Sequence, residues 1–596
     1  MTAEPGHAVC VIGCGPRGAS VVERILANSP ALLDGAPLTV HVVDPWPPGA
    51  GRTWRTDQPA LLWMNSTAEQ VTMFPGAGVK CAGPARPGPT TGQWLTGPLH
   101  DGAYASRADQ GRYLRWFFEQ VTAEPPAGVD VLTHRASVVD LLRTGDGRQR
   151  VVLDGGLSPI DVDHVVMALG HPHNRSASHW GGIPRIGPGP ADPERLAAIA
   201  PGERVVVRGL GLVFTDCLAL LTQGRGGQFV RREGRLRYLP SGREPHLIAG
   251  SRRGVPLPPR VTAPFTAPRP PRFATLAACR ERLGRAGARF DRDVWPLMLA
   301  ELAWSHYQAL FALHPERTRM TWAAFDAEFA LFVDDDDRRE KLVRAAVPED
   351  GDRLDLARLE APLSGVEFSG AQELQDHVRG YLLDALRRRG QGQSTDLAVV
   401  GALGSVGAVV EEMWRGGELS PQAVAQAWER FTFGAFLSSG PPPLRSEQLL
   451  ALSEQGIVTF VGSGMTVQAD PGRGVVRARS EAVPAVHEGT VLLDAYLEKT
   501  EPERVENPLL KALLARGELV EEQVEGAGTG TFLLSGAQLH PIDADGIVQR
   551  DRAVLGPAQF PRANTDAAFF RQTDAVARQA LAGNLRGADT DSFPAT

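Results

Sequence analysis

The sequence has little cysteine: five residues in 596, at Cys10, Cys14, Cys81, Cys217 and Cys279. Their number is odd and none are spaced as metal-ligand pairs. That argues against a disulfide framework and for a reducing compartment. No run reaches the roughly 18 uninterrupted apolar residues that span a bilayer. Met1–His7 has no basic segment leading into an apolar core, so a secretion signal is not expected. The expectation is a cytoplasmic protein without a membrane partner. An excess of basic charge is also missing. The net charge is −7 and the pI about 6.1, so nothing draws the chain toward nucleic acid. No metal site is expected: Asp334–Asp337 has the wrong spacing for a calcium loop and reads as a turn or helix cap.

What is present begins near the N-terminus. His7–Ile12 is a short apolar run that enters Gly13-Cys14-Gly15-Pro16-Arg17-Gly18, followed by a helical pattern. In such a unit Gly13 permits the tight turn, Gly15 lets the backbone approach a pyrophosphate, and Gly18 lets helix and strand pack closely. The free N–H groups of the helix start then face the anion. Pro16 costs nothing at the first helical position. A second apolar run, Leu38–Val43, ends in Asp44, the expected acceptor for a ribose hydroxyl. The unit is therefore expected to hold a dinucleotide.

The glycine- and proline-rich loop after Asp44 carries Arg52, Thr53 and Trp54, where two-domain flavoproteins place a loop against the flavin; a surface loop is the alternative. Leu61–Ser66 reads as a strand that presents Asn65 to the flavin edge or to the next turn. Phe74–Gly102 reads as a long loop and Gly111–Phe118 as a core helix, with Arg112 and Arg115 as candidate phosphate or substrate contacts. Val129–Leu142 and Gln149–Leu153 read as strands. Val162–Leu169 is an apolar strand that runs into Gly170 and His171, where small residues let the chain cross beneath a cofactor.

Arg204–Arg208 opens a second unit with Gly209-Leu210-Gly211 and a helix. Phe214 stands where a third glycine would be. Leu247–Gly250 is followed by Ser251-Arg252-Arg253, and an arginine pair after that strand suits the 2′-phosphate of NADP. Val255–Arg272 is dense in proline and reads as an extended linker. From Phe273 the pattern is helical, with most aromatics in the core. Leu397–Val410 reads as buried strand-to-helix packing, and Gly456–Gly462 as a strand of the second unit. Gly489–Ala495 reads as the return to the first. A last helix from Asn564 to about Leu585 is capped by Asn564, Thr565 and Asp566 and directed at the flavin.

The fold expected is α/β: two Rossmann-like dinucleotide-binding domains on the glutathione-reductase-like flavoprotein plan, with a helical insertion. The segments are 1–200 (FAD), 201–272 (NAD(P)), 273–395 (insertion), 396–488 (return to the NAD(P) domain) and 489–596 (return to the FAD domain).

Gly13–Gly18, Gly51–Trp54, Ala168–Gly170, Gly209–Gly211, Ser241–Pro245 and Ser251–Pro256 together resemble the actinobacterial FAD/NAD(P)-binding protein family. That family is a distant relative of flavin-containing, N-hydroxylating and Baeyer–Villiger monooxygenases. The resemblance implies bound FAD, use of NAD(P)H and a small-molecule substrate. It places Gly13, Gly15, Gly18 and Asp44 on the FAD fingerprint, and Gly209 and Gly211 on the nicotinamide-nucleotide fingerprint. Two features depart from the Baeyer–Villiger pattern. Arg52 replaces a second adjacent glycine, and a Phe-x-Gly-x-x-x-His segment is missing near Pro172–Pro201. The lack of Trp-x-Trp-x-Ile-Pro argues against flavin-dependent halogenation.

The function expected is an NAD(P)H-dependent monooxygenase that hydroxylates a small nitrogenous or carbonyl compound through a C4a-(hydro)peroxyflavin. An FAD oxidase or dehydrogenase without nicotinamide stays open, motivated by Phe214. A non-catalytic dinucleotide-binding protein stays open because the motifs present no acid–base pair. The sequence assigns no catalytic side chain and no oligomeric state.

Overall fold

The computed structural model describes residues 6–261, 269–390, 394–415, 418–524, 526–536, 538–557, 560–563 and 565–582. The elements that frame the argument, in chain order, begin with β1 His7–Ile12, α1 Pro16–Leu32, β2 Leu38–Val43, α2 Arg107–Thr122, β3 Val129–His134 and β4 His164–Met167. Next come β5 Ile183–Ile186, β6 Arg204–Arg208, α3 Leu212–Leu221 and β7 His246–Gly250. The last are α4 Leu356–Glu360, α5 Pro421–Ser438, β8 Val458–Phe460, β9 Val491–Asp494, β10 Arg552–Val554 and α6 Ala568–Ala582.

The chain forms two compact units: residues 1–175 with 498–596, and residues 176–497. The expected boundaries at 200 and 489 therefore move to 175 and 498. Val491–Asp494 does not return the chain to the first unit, because β9 pairs in parallel with β6 of the second.

The first unit is built on a parallel sheet of order β10-β4-β1-β2-β3. β1 is buried at every position and apolar from Ala8 to Ile12, because both its faces are covered. Val9 and Val11 face one core, with Val21, Val22 and Ile25 of α1; Ala8, Cys10 and Ile12 face the other, with Leu509, Leu510 and Leu513. Each valine, leucine or isoleucine among them, fully buried, contributes about 1.5–3 kcal/mol. Cys10 and Cys14 are wholly buried, and burial pushes both thiols up, so they serve as core residues.

Several local expectations change in this unit. Leu61–Ser66 is not a strand: Trp63 makes only an isolated bridge to Ser106. Val129–Leu142 breaks into β3 and Val138–Arg143. The apolar run before Gly170 breaks at Asp163, whose carboxylate turns back to accept the Ala8 N–H at 2.8 Å. α6 starts at Ala568. Thr565 donates to the Arg562 carbonyl, while Asp566 accepts the Lys80 N–H and pairs with Arg571. Asn564 lies outside the described residues.

α6 packs on α1 through buried polar contacts. Ser20 meets Thr573 at 3.0 Å, and Asn28 donates to Asp574 at 2.9 Å. Arg24, wholly buried, donates to both oxygens of Glu23 and to the Pro84 carbonyl, with Asp574 3.6 Å away. Asp574 also accepts the N–H groups of Ala82 and Gly83. A segment of the long 74–102 loop is thus strapped to the helix pair.

The second unit has a sheet of order β8-β7-β6-β9-β5, parallel throughout, with His179–Trp180 antiparallel at its edge. Helices then run from Leu276 to Glu454, so the helical layer extends well beyond the expected limit at 395. Leu397–Val410 contains no strand; it lies inside one helix, Thr395–Arg415. That helix is long and apolar enough to cross a membrane by length and composition, and Val399, Val406, Val410 and Met413 are buried in the unit. Asp335 caps the helix Asp336–Ala346 by accepting the Arg338 N–H. The described part of Val255–Arg272 has no helix or strand; Pro264 and Pro268 lie outside it.

Candidate functional site

In the first unit β1 has β2 on one side and β4 on the other, so the connections leave in opposite directions. A crevice at the carboxyl ends of β1 and β4 follows from that topology, and such crevices take nucleotides. Gly13 turns the chain at its mouth with φ +86°. Its N–H donates to the Val43 carbonyl at 2.8 Å. A Cβ on Gly13 would lie 2.5 Å from the Ala168 carbonyl oxygen, and one on Gly18 would lie 2.0 Å from the Gly13 carbonyl oxygen. Both positions are closed to any larger residue. Gly15 differs: a Cβ there meets nothing within 4 Å. Gly15 is also the N-cap of α1 and offers no side-chain acceptor, while Pro16 opens the helix. Gly15 thus borders open space at the start of α1, where the first-turn N–H groups have no helical partner, and a diphosphate fits there.

The loop after β2 closes on this turn. The Gly49 N–H donates to the Cys14 carbonyl at 2.7 Å, and Gly51, with φ +56°, approaches the Cα of Gly15. Asp44 is buried. Its Oδ2 accepts the Cys14 N–H at 2.6 Å and its Oδ1 accepts the Trp46 N–H at 2.8 Å. Burial raises its pKa, opposed by those two N–H groups and by Arg52. In this structure both Asp44 oxygens brace the glycine turn, a role the ribose expectation left out.

Arg52 donates from Nη2 to the His171 carbonyl at 2.7 Å and so spans the loops that follow β2 and β4. His171 is held below its ordinary pKa by burial and by Arg52. Gly170 takes φ +66° between Leu169 and His171. Trp54 packs on Phe560 with ring centroids 5.0 Å apart, and the Thr53 carbonyl accepts from Gln58. Asn65 is half-buried on a loop beside buried Met64, and its amide has no hydrogen-bond partner among the described residues. Arg17 does not face the crevice. Its guanidinium donates to Gln572 and to the Phe569 carbonyl and lies over the Phe569 ring; burial lowers its pKa to about 10. Arg112 and Arg115 pair with Asp109 and Glu119 on their own helix.

The second unit repeats the construction around β6. Gly209 turns with φ +114°, and its N–H donates to the Gly250 carbonyl at 2.9 Å. A Cβ there would lie 2.6 Å from the Ala495 carbonyl oxygen, while one on Gly211 would meet only Leu257 Cδ1, at 4.0 Å. Phe214 is buried within the unit.

The two turns differ beneath the crevice. The last paired residues of β1 and β4 are Ile12 and Met167, whereas β6 and β9 end in Arg208 and Asp494. Asp494 is buried, and both Arg208 and Arg185 donate to its carboxylate. The sequence reading missed this triad, because Arg185 and Asp494 lie about 300 residues apart.

The two units also differ after the second strand. Where Asp44 follows Val43, Ser251 follows Gly250. Arg252 is exposed and its guanidinium has no partner among the described residues. Arg253 turns inward to the Glu360 carbonyl and the Phe436 ring. An exposed guanidinium and a hydroxyl in place of an acid suit a 2′-phosphate. Three other arginines of this unit are occupied: Arg225 binds the Leu196 and Ile199 carbonyls, Arg231 pairs with Glu447 and Arg237 with Glu454. Among the described residues no group of three or more His, Cys, Asp or Glu could hold a metal.

Residues 10–172 match a family model described as FAD-NAD(P)-binding. Three characterised relatives align over nearly the whole chain. The L-aspartate N-monooxygenase (nitrosuccinate-forming) of Streptomyces davaonensis is 36% identical, over 88% of this chain and 87% of its own. Nitrosuccinic acid synthase of Aspergillus oryzae is 34% identical, over 98% and 94%. The L-aspartate N-monooxygenase (nitrosuccinate-forming) of Streptomyces cremeus is 36% identical, over 92% and 89%.

Proposed function

Because the chain belongs to the FAD- and NAD(P)H-dependent monooxygenase family that includes the nitrosuccinate-forming L-aspartate N-monooxygenases, we propose that it oxidises the amino nitrogen of L-aspartate to give nitrosuccinate. The alignment across at least 88% of the chain with relatives of that one activity carries the reading.

Two glycine turns of like geometry supply places for two dinucleotides. In this reading the first unit holds FAD. The α1 N–H groups and open Gly15 take the diphosphate, Gly13 and Gly18 keep the turn tight, and Asp44 and Pro16 fix its shape. Arg52, Thr53, Trp54, Asn65 and Gly170 line the approach to the flavin. Arg17 supports the site from behind by joining α1 to α6. The second unit holds NADP(H) on Gly209 and Gly211, with Arg252 at the 2′-phosphate; its helical layer, 276–454, is part of that unit. Bound FAD, reduced by NADPH, supplies the oxygen-activating chemistry. The first oxygenation of an amine consumes one NADPH, one proton and one O₂, and yields the N-hydroxy compound, NADP⁺ and water.

The test is substrate-dependent NADPH oxidation by the purified, FAD-loaded protein. L-Aspartate, D-aspartate, L-glutamate, L-lysine and L-ornithine are compared, and products are read by mass. The reading requires nitrosuccinate from L-aspartate and slower turnover of the other amines. Preferred turnover of another amine would overturn the substrate assignment and keep the monooxygenase; NADPH oxidation that no amine accelerates would overturn the N-oxygenation itself.

A further inference from the structure

The loop Ser251–Gly254 is fixed from one side. Gly254 takes φ +73°, and a Cβ there would lie 2.3 Å from the backbone nitrogen of Ser463. Its N–H donates to Ser251 Oγ at 3.1 Å, and the Gly464 N–H donates to the Arg252 carbonyl at 2.9 Å. From this frame the two arginines part. Arg252 stays exposed, with no partner among the described residues. Arg253 enters the helical layer. Its Nε–H donates to the carbonyl of Glu360, the last residue of α4, at 2.7 Å. Its guanidinium stands 4.5 Å from the ring centroid of Phe436 on α5, and the Glu360 carboxylate lies 3.9 Å from Nη2.

We propose that Arg253 is a positioning residue for nicotinamide-nucleotide selectivity: it ties the loop to α4 and α5, and so holds neighbouring Arg252 ready for the 2′-phosphate. This rests on the reading of the second unit as the NADP(H) site. A long side chain binds more tightly when its backbone is already ordered, because less freedom is lost on binding. Lysine cannot replace Arg253 fully, since one ammonium cannot lie flat on an aromatic face and hold a directed Nε–H bond together. The helical layer thereby acts on the cofactor site through Phe436, 183 residues further along the chain.

The experiment measures equilibrium dissociation constants of NADP⁺ and NAD⁺ on the full-length FAD-loaded protein and its R252A, R253A, R253K, F436A and R253A/F436A variants. Flavin content and melting temperature are recorded beside them. R253A is expected to weaken NADP⁺ about tenfold and NAD⁺ no more than about twofold. R253K recovers part of the loss, and F436A adds nothing once Arg253 is gone. Parallel weakening of both nucleotides would make Arg253 a plain structural strut and overturn the proposal, as would unchanged binding. If R252A lowers the preference for NADP⁺ and R253A does not, the positioning role alone fails. If R252A leaves the preference untouched, the phosphate reading of the loop fails and takes the positioning role with it.

Discussion

Gly13 sits so close to Ala168 that a Cβ added to it would stand 2.5 Å from the Ala168 carbonyl oxygen, and Gly209 stands to Ala495 in the same way at 2.6 Å. Gly13 follows β1 and approaches the residue after β4, and Gly209 follows β6 and approaches the residue after β9; each opens a crevice beside it. Neighbouring glycines in the same turn answer a different demand, and mutation can separate the two.

Gly15→Ala should fold as the parent does, because the added methyl meets no protein atom and the backbone at Gly15 is ordinary extended structure. It should bind FAD at least about tenfold more weakly, since the methyl occupies the space of the diphosphate. Gly18→Ala should instead cost about 3 kcal/mol or more of stability, by overpacking against the Gly13 carbonyl. Flavin content and thermal melting of the two variants check both outcomes.

Gly211→Ala should act on the other nucleotide. The added methyl meets only Leu257, so stability and FAD content stay near the parent values. Anaerobic reduction of the flavin by NADPH should need about tenfold more NADPH to reach half its maximal rate. Stopped-flow absorbance of the flavin band measures it. An effect confined to FAD content would reverse the assignment of the two units.

The glycine turns were legible in the sequence because backbone geometry leaves no other residue type at Gly13, Gly18 and Gly209. The swap of acid for arginines after the second strand, Asp44 against Ser251-Arg252, was legible for the same local reason. Sheet membership was not. Val165-Val166-Met167-Ala168 and Leu492-Leu493-Asp494-Ala495 are both short, buried and end in alanine. Only strand pairing shows that the first lies beside β1 and the second beside β6. The direction of Arg17 could not be read either, because its partners Phe569 and Gln572 lie more than 550 residues along the chain. In the helical layer, the small apolar residues of Leu397–Val410 suggested a strand leading into a helix, but they lie within one helix.

Arg24→Met should destabilise the first unit by about 3 kcal/mol, because it leaves Asp574 buried without its cation and Glu23 with only Arg86, 3.1 Å away. Replacing the acids as well, in Glu23→Gln/Arg24→Met/Asp574→Asn, should recover part of that loss. Urea unfolding followed by far-ultraviolet circular dichroism measures both.

His41 and His134 meet at 3.0 Å on neighbouring strands, and burial, His134 and Arg148 lower the His41 pKa from 6.5 to about 4. The unfolded chain therefore binds a proton that the folded chain refuses between those values. The contribution of His41 is fully present above pH 6.5 and is lost as pH falls toward 4. Allowing for solvent screening, the loss is on the order of 1–2 kcal/mol. His41→Gln should flatten the fall in melting temperature between pH 7 and pH 4.5, and an unchanged slope would remove His41 as its source.

The most direct measurement follows the oxygen and nitrogen atoms together. FAD-loaded protein is given ¹⁵N-labelled L-aspartate, NADPH and ¹⁸O₂, and the product is weighed. The account predicts nitrosuccinate that carries ¹⁵N and ¹⁸O on the same nitrogen, formed only when NADPH is consumed. Consumption of NADPH with hydrogen peroxide as the sole oxygen product and the aspartate left whole would contradict it.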